Sequence, residues 1–202
     1  MSKPKILQLD GMYSFRSYFE FSSDTDEVLA EFDYAFVRQR LQLPRTSNQL
    51  DGLDELRQQL EDTIPYVTLS SETAKREILV APVLSRVAVI CKRLLRIEYP
   101  LKINNLLQGN LDYFIQSQQN LVVVEAKRDD LTRGFTQLAV EMIALSMLED
   151  APNIVYGAVT MGDVWVFGTL EQNLRIIRRD ITSYTLPDDL VEIVKILVGI
   201  LE

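Results

Sequence analysis

Apolar and polar residues alternate in twos along some stretches and recur every three to four along others, and each change of period marks an element. Val37, Gln39, Leu41 and Leu43 alternate with Arg38, Arg40 and Gln42, which predicts a half-buried strand ending before Pro44, with Arg38 and Arg40 on its solvent face. Phosphate contact is a second role for that pair. Leu53, Leu56, Leu60 and Ile64 predict an amphipathic helix stopped by Pro65. Ser70 and Ser71 then offer N-caps to a long helical pattern through residue 94, and Pro82 inside it predicts a kink or two helices in series. A strand is expected over 97–107. Helical spacing over 131–148 puts Leu131, Phe135, Leu138, Met142 and Leu145 on one stripe and Arg133, Gln137 and Glu141 on another face. A hairpin with Met161-Gly162-Asp163 at its tip, a strand over 174–181 and an apolar helix opened by Pro187-Asp188-Asp189 complete the chain. That last helix reads as an interface or as a lid on the core.

The stretch 109–127, GNLDYFIQSQQNLVVVEAK, is the most informative. Two apolar runs flank a polar turn, the pattern of a β-hairpin. With Gln118-Gln119 as the tip, Asp112 faces Glu125, their Cβ atoms about 4.5–5.5 Å apart. Glu125 and Lys127 share a face because side chains alternate along a strand. Two carboxylates and an amine would therefore converge at one end of the hairpin, which points to a magnesium-dependent phosphodiesterase. The bland alternatives are that Asp112 and Glu125 face solvent on an edge strand and that Lys127 is an ion-pair partner.

Composition narrows the chemistry. The chain has 202 residues, 47% hydrophobic and 25% charged, within the range of ordinary globular proteins. It contains no histidine, which removes histidine-based triads, nucleases and zinc sites. The single cysteine, Cys91, excludes an internal disulfide and reads as a packed thiol. Acid–base work falls to Asp, Glu, Lys or Tyr, and any metal is held by oxygen, which favours Mg²⁺, Mn²⁺ or Ca²⁺. The net charge of −8 requires any nucleic-acid contact to use a local basic face. No window reads as a membrane helix and the N-terminus lacks a signal-peptide core, so a cytoplasmic location is expected.

Asp112 on one strand, Glu125-Ala126-Lys127 on the next and a following helix with Gln137 resemble the PD-(D/E)xK nuclease superfamily, with Leu111 in place of the proline. The run 71–84, SETAKREILVAPVL, is similar to the helix that precedes this core in type I restriction enzyme nuclease domains. The chain as a whole resembles uncharacterised cyanobacterial members. The resemblance covers roughly half of the chain. It implies an α/β fold with a restriction-endonuclease-like αβββαβ core, a mixed central sheet and flanking helices. It divides the chain into an N-terminal extension (1–65) packed on a nuclease-like core with a C-terminal helix (66–202). It also implies Mg²⁺ or Mn²⁺ held by Asp112, Glu125, the Ala126 carbonyl and Glu72, with Glu77 an alternative to Glu72. Lys127 would assist the attacking water and Gln137 would support it. Gln137 on a solvated helix face, and Glu72 serving only the helix dipole, are the competing readings. The expected activity is DNA phosphodiester hydrolysis, as an endonuclease or an exonuclease, with a possible homodimer and no membrane partner. The alternative is a catalytically inactive module of the same fold that binds nucleic acid or a protein.

Overall fold

The computed structural model describes residues 5–8, 11–117 and 130–202, and the backbone of 121–126. These residues form a mixed α/β structure around one seven-stranded sheet. In chain order the strands are β1 (Ala35–Gln39), β2 (Leu95–Lys102), β3 (Gln108–Gln116), β4 (Leu121–Ala126), β5 (Ile154–Thr160), β6 (Val164–Glu171) and β7 (Ile176–Thr185). In space the order is β1-β7-β6-β5-β4-β3-β2. Only β1 with β7 and β4 with β5 run parallel; the other neighbours are antiparallel. The helices are α1 (Phe15–Glu20), α2 (Thr25–Ala30), α3 (Leu53–Thr63), α4 (Glu72–Lys75), α5 (Ala81–Cys91), α6 (Leu131–Ser146) and α7 (Leu190–Leu201).

Helices cover both faces of the sheet. One core joins α3, α5 and α7 to Tyr113, Ile115, Trp165 and Phe167. The other joins α1, α2 and α6 to Leu111, Phe114, Val155, Val159 and Ile177. Residues 1–65 supply an edge strand to the sheet and helices to both cores. Helix α7 buries eight of its residues, Leu190 to Leu201, so its apolar surface is used as a lid within the chain. Tyr113 and Trp165 are buried too.

Local chemistry explains where several elements stop. The Ser71 side chain accepts a hydrogen bond from Ala74 N (3.1 Å) and starts α4. Pro82 lacks an N–H and its ring crowds the carbonyl four residues back. The chain answers with a π turn over Arg76–Val80, which links α4 to α5 and widens the helix just before the proline. The strand expected over 97–107 ends at Lys102. Asn104 Oδ1 accepts from Leu106 N (2.8 Å) and Leu107 N (2.9 Å), and this side-chain turn replaces ladder pairing. The strand expected over 37–43 stops at Gln39, so Arg40 lies beyond it. Asp180 Oδ1 accepts from Leu41 N (3.3 Å), and Leu41 and Leu43 then pack in the core of the opposite face from Phe36. The strand expected over 174–181 runs instead from Ile176 to Thr185 after a turn in which Arg175 adopts φ 51°.

The largest departure concerns α6. Its face carrying Gln137 and Glu141 is not solvated: every residue from Gly134 to Ser146 is buried. The stripe of Phe135, Leu138 and Met142 lies on the sheet, while α1 and α2 pack against the helix as well. The Thr25 and Thr136 hydroxyls meet at 2.8 Å in that second contact. Close approach to the sheet depends on Gly157 and Gly168, which face each other across β5 and β6. A Cβ on Gly157 would sit 2.9 Å from Leu138 Cδ1, and one on Gly168 would sit 2.6 Å from the Phe135 ring. Gly168→Ala is therefore expected to destabilise the fold by about 1–3 kcal/mol through overpacking, read as a lower urea midpoint.

Candidate functional site

A cleft of about 880 Å³ opens where α4, from one face, and the start of α6, from the other, flank β2 and β3. It is lined by Glu72 of α4, Arg76 of the π turn, Glu98 of β2, Asp112 of β3, and Asp130, Arg133 and Gln137 at α6, with α1 contributing Arg16 and Phe19. Three of the sequence candidates, Glu72, Asp112 and Gln137, thus line one cavity. Glu77 does not: it is exposed and lines a separate groove with Leu56 and Arg86.

The hairpin has the expected register over the strand pairs described. Gln116 pairs with Leu121 and Tyr113 with Val124, so the next position along the same register is Asp112 against Glu125. On its other side the β4 backbone pairs Glu125 with Val159 and Ala126 with Thr160. The Gln118-Gln119 tip, Lys127 and the Glu125 side chain lie outside the described residues. Asp112 is not a solvent-facing edge residue, since β3 is flanked by β2 and β4 and the Asp112 side chain is 14% exposed.

Arg76 organises the described part of the cleft. Its Nη2 donates to Glu98 Oε1 at 2.7 Å, its Nη1 lies 3.7 Å from Asp112 Oδ1, and its guanidinium sits 5.4 Å over the Tyr113 ring. Burial opposes the charge, but the Glu98 hydrogen bond, then the Asp112 charge and Tyr113, outweigh it and hold Arg76 above its ordinary pKa. Glu98 itself adopts φ 51°, a left-handed conformation that costs a non-glycine residue about 1–3 kcal/mol. The β2–β3 ladder pairs Ile97 with Tyr113 and Tyr99 with Leu111, leaving Glu98 and Asp112 between them. Leu111 and Tyr113 consequently pack in opposite cores although only one residue separates them. The strain is concentrated where the two carboxylates meet Arg76.

Across the cleft, Asp130 Oδ1 caps α6 by accepting from Thr132 N (2.8 Å) and Arg133 N (3.0 Å). Gln137 is 3% exposed and donates through Nε2 to Glu141 Oε1 (2.9 Å). Its Oε1 is buried and has no hydrogen-bond partner among the described residues. An unpaired buried amide oxygen costs about 1–3 kcal/mol, which marks it as an acceptor placed for a donor from outside this set.

Sequence patterning did not single out Glu98, because a positive φ has no signature in a lone glutamate. Arg76 had a signal, the four-residue spacing from Glu72, and it meets Asp112. Cys91 is remote from the cleft, and burial, then the charge of Glu202, push its thiol up to about 11 against the opposing effect of Arg93, which keeps it a neutral packed group.

The donor set consists of hard oxygens. Glu72, Glu98, Asp112 and Asp130 line the cleft, yet among the described residues no three acids cluster closely enough to hold a metal ion. Mg²⁺ is commonly held by one or two carboxylates with waters completing its shell, so the residues present fit such an ion in kind. No protein-family model matches the chain, and no curated protein matches it.

Proposed function

We propose that this chain is a metal-dependent nuclease of the PD-(D/E)xK type that hydrolyses DNA phosphodiester bonds. The observation that carries the reading is the meeting of Glu72, Asp112 and the half-satisfied amide of Gln137 in one cleft, from a helix on each face and a strand between them. The element order from α5 through β2, β3, β4 and α6 to β5 supports it, being the helix–strand–strand–strand–helix–strand order of a restriction-endonuclease-like core. Asp112, Glu125, the Ala126 carbonyl and Glu72 would hold Mg²⁺ or Mn²⁺. That ion would neutralise charge on the phosphoryl oxygens and ease deprotonation of water. Lys127 would orient the attacking water and stabilise developing charge. Gln137 Oε1 would accept a hydrogen bond from Lys127, from water or from a nucleotide. Arg76, fixed by Glu98, would hold Asp112 in position. The water oxygen attacks phosphorus, the bond to the leaving sugar oxygen breaks, and that oxygen takes a proton. Cutting two strands would take a homodimer built on a surface other than the buried face of α7.

One observation favours the inactive-module reading: Asp112 has a guanidinium 3.7 Å away, a cation already beside the carboxylate a metal would need. Purified protein incubated with single-stranded, nicked, branched and linear DNA decides between them. The nuclease reading expects cleavage in Mg²⁺ or Mn²⁺ and none in EDTA; intact DNA in every arm leaves the module reading.

A further inference from the structure

A second basic feature begins one turn from the cleft. Arg38 on β1 and Arg179 on β7 are register partners in the parallel pair at the sheet edge. Their guanidinia lie over two rings that touch each other: Arg38 is 5.6 Å from the Phe36 centroid, Arg179 is 5.5 Å from the Phe135 centroid, and the two rings are 5.8 Å apart. Arg179 Nη1 also approaches Thr132 Oγ1 at 3.4 Å, in the first turn of α6. Thr132 lies between Asp130 and Arg133 in sequence, both of which line the cleft. The basic feature and the cleft are thus joined through the start of one helix.

Two like charges held side by side on an aromatic floor oppose each other. Neither makes an ion pair among the described residues. Burial first, then the charge of Arg38, lower the pKa of Arg179, and Asp130 only partly offsets this. Arg38 is exposed on the sheet edge. In a chain of net charge −8, two adjacent arginines with no ion pair among the described residues are a local exception to the overall field. Planar guanidinium groups match phosphate oxygens, and each here is seated over an aromatic ring, Arg38 on Phe36 and Arg179 on Phe135.

We propose that Arg38 and Arg179 form a phosphate-binding station that grips the backbone of a DNA strand whose neighbouring segment enters the cleft. Only the identity of the strand as a substrate rests on the nuclease reading; the station is tested by binding alone. A phosphodiester chain is favoured over an acidic peptide because the site offers two guanidinium groups on neighbouring rings and no described apolar pocket for side chains.

The test is fluorescence anisotropy with a labelled single-stranded oligodeoxynucleotide in EDTA across a salt series. Arg38→Glu is the main variant, since Arg38 is exposed and its replacement leaves the packed Arg179 in place. Arg57→Glu on α3, which packs into the other core, makes the same charge change elsewhere. Arg38→Glu is expected to weaken binding about ten-fold and to make the salt dependence shallower by about one contact. Arg57→Glu should bind as wild type does. Unlabelled DNA should displace the probe, whereas polyglutamate at equal charge should not. Equal binding by Arg38→Glu and Arg57→Glu overturns the station, as does no binding by wild type or displacement by polyglutamate. Cleavage by wild type, lost in Asp112→Asn, judges the nuclease reading separately. If that reading holds, Arg38→Glu should raise KM and leave kcat unchanged.

Discussion

Asp112→Asn is expected to lower Mg²⁺-dependent DNA cleavage by roughly 10²–10³-fold while leaving the fold intact. Asparagine keeps the size of the side chain and removes its charge, so the packing of β3 between β2 and β4 is unchanged. Arg76 retains its 2.7 Å hydrogen bond to Glu98 when Asp112 loses its charge. The asparagine amide oxygen can still face Arg76 Nη1, which lies 3.7 Å from Asp112 Oδ1 in the wild type. What the substitution removes is an anionic oxygen for a hard cation. Lys127→Ala makes a second arm, expected to cost roughly 10²–10⁴-fold through the attacking water. Initial rates on a DNA substrate, with circular dichroism to verify folding, measure both. Wild-type rates in both variants would remove these residues from the chemistry.

Phe135→Ala is expected to destabilise the protein by about 3–5 kcal/mol, a large share of the stability of a typical domain. Phe135 is fully buried on α6. Its ring sits against Gly168 so closely that a Cβ there would lie 2.6 Å away, and it packs 5.8 Å from the Phe36 ring. Truncation would open a cavity between α6 and the sheet that the backbone at Gly168 cannot fill. Two residues further on, Gln137 depends on the same helix position for its place in the cleft. Urea unfolding of wild type and variant gives the difference; a loss under about 1 kcal/mol would mean that α6 is not anchored there.

Signals that act over a few residues were legible in the sequence. The hairpin register follows from alternation and a polar turn, and the observed pairing of Tyr113 with Val124 belongs to the same register as Asp112 with Glu125. The Ser71 cap, the irregularity before Pro82 and the burial of α7 follow from equally local rules. Features that depend on distant chain were hidden. Gln137 and Glu141 read as a polar helix face because nothing in residues 131–148 announces that α1 and α2 also pack on α6. The parallel pairing of β1 with β7 joins residues some 140 positions apart, a contact that periodicity cannot encode. Asn104 ended β2 early through its side chain, where hydrophobicity alone suggested a longer strand. Glu98 is the sharpest case: its backbone adopts φ 51° where its side chain accepts a hydrogen bond from Arg76 of the π turn.

The central claim is that the cleft at Asp112 binds a divalent cation, and Mn²⁺ titration by calorimetry tests it most directly. Wild type should bind Mn²⁺ at a site that Asp112→Asn loses, with Mg²⁺ competing for it. No Mn²⁺ binding by wild type, or the same isotherm from Asp112→Asn, would contradict the claim.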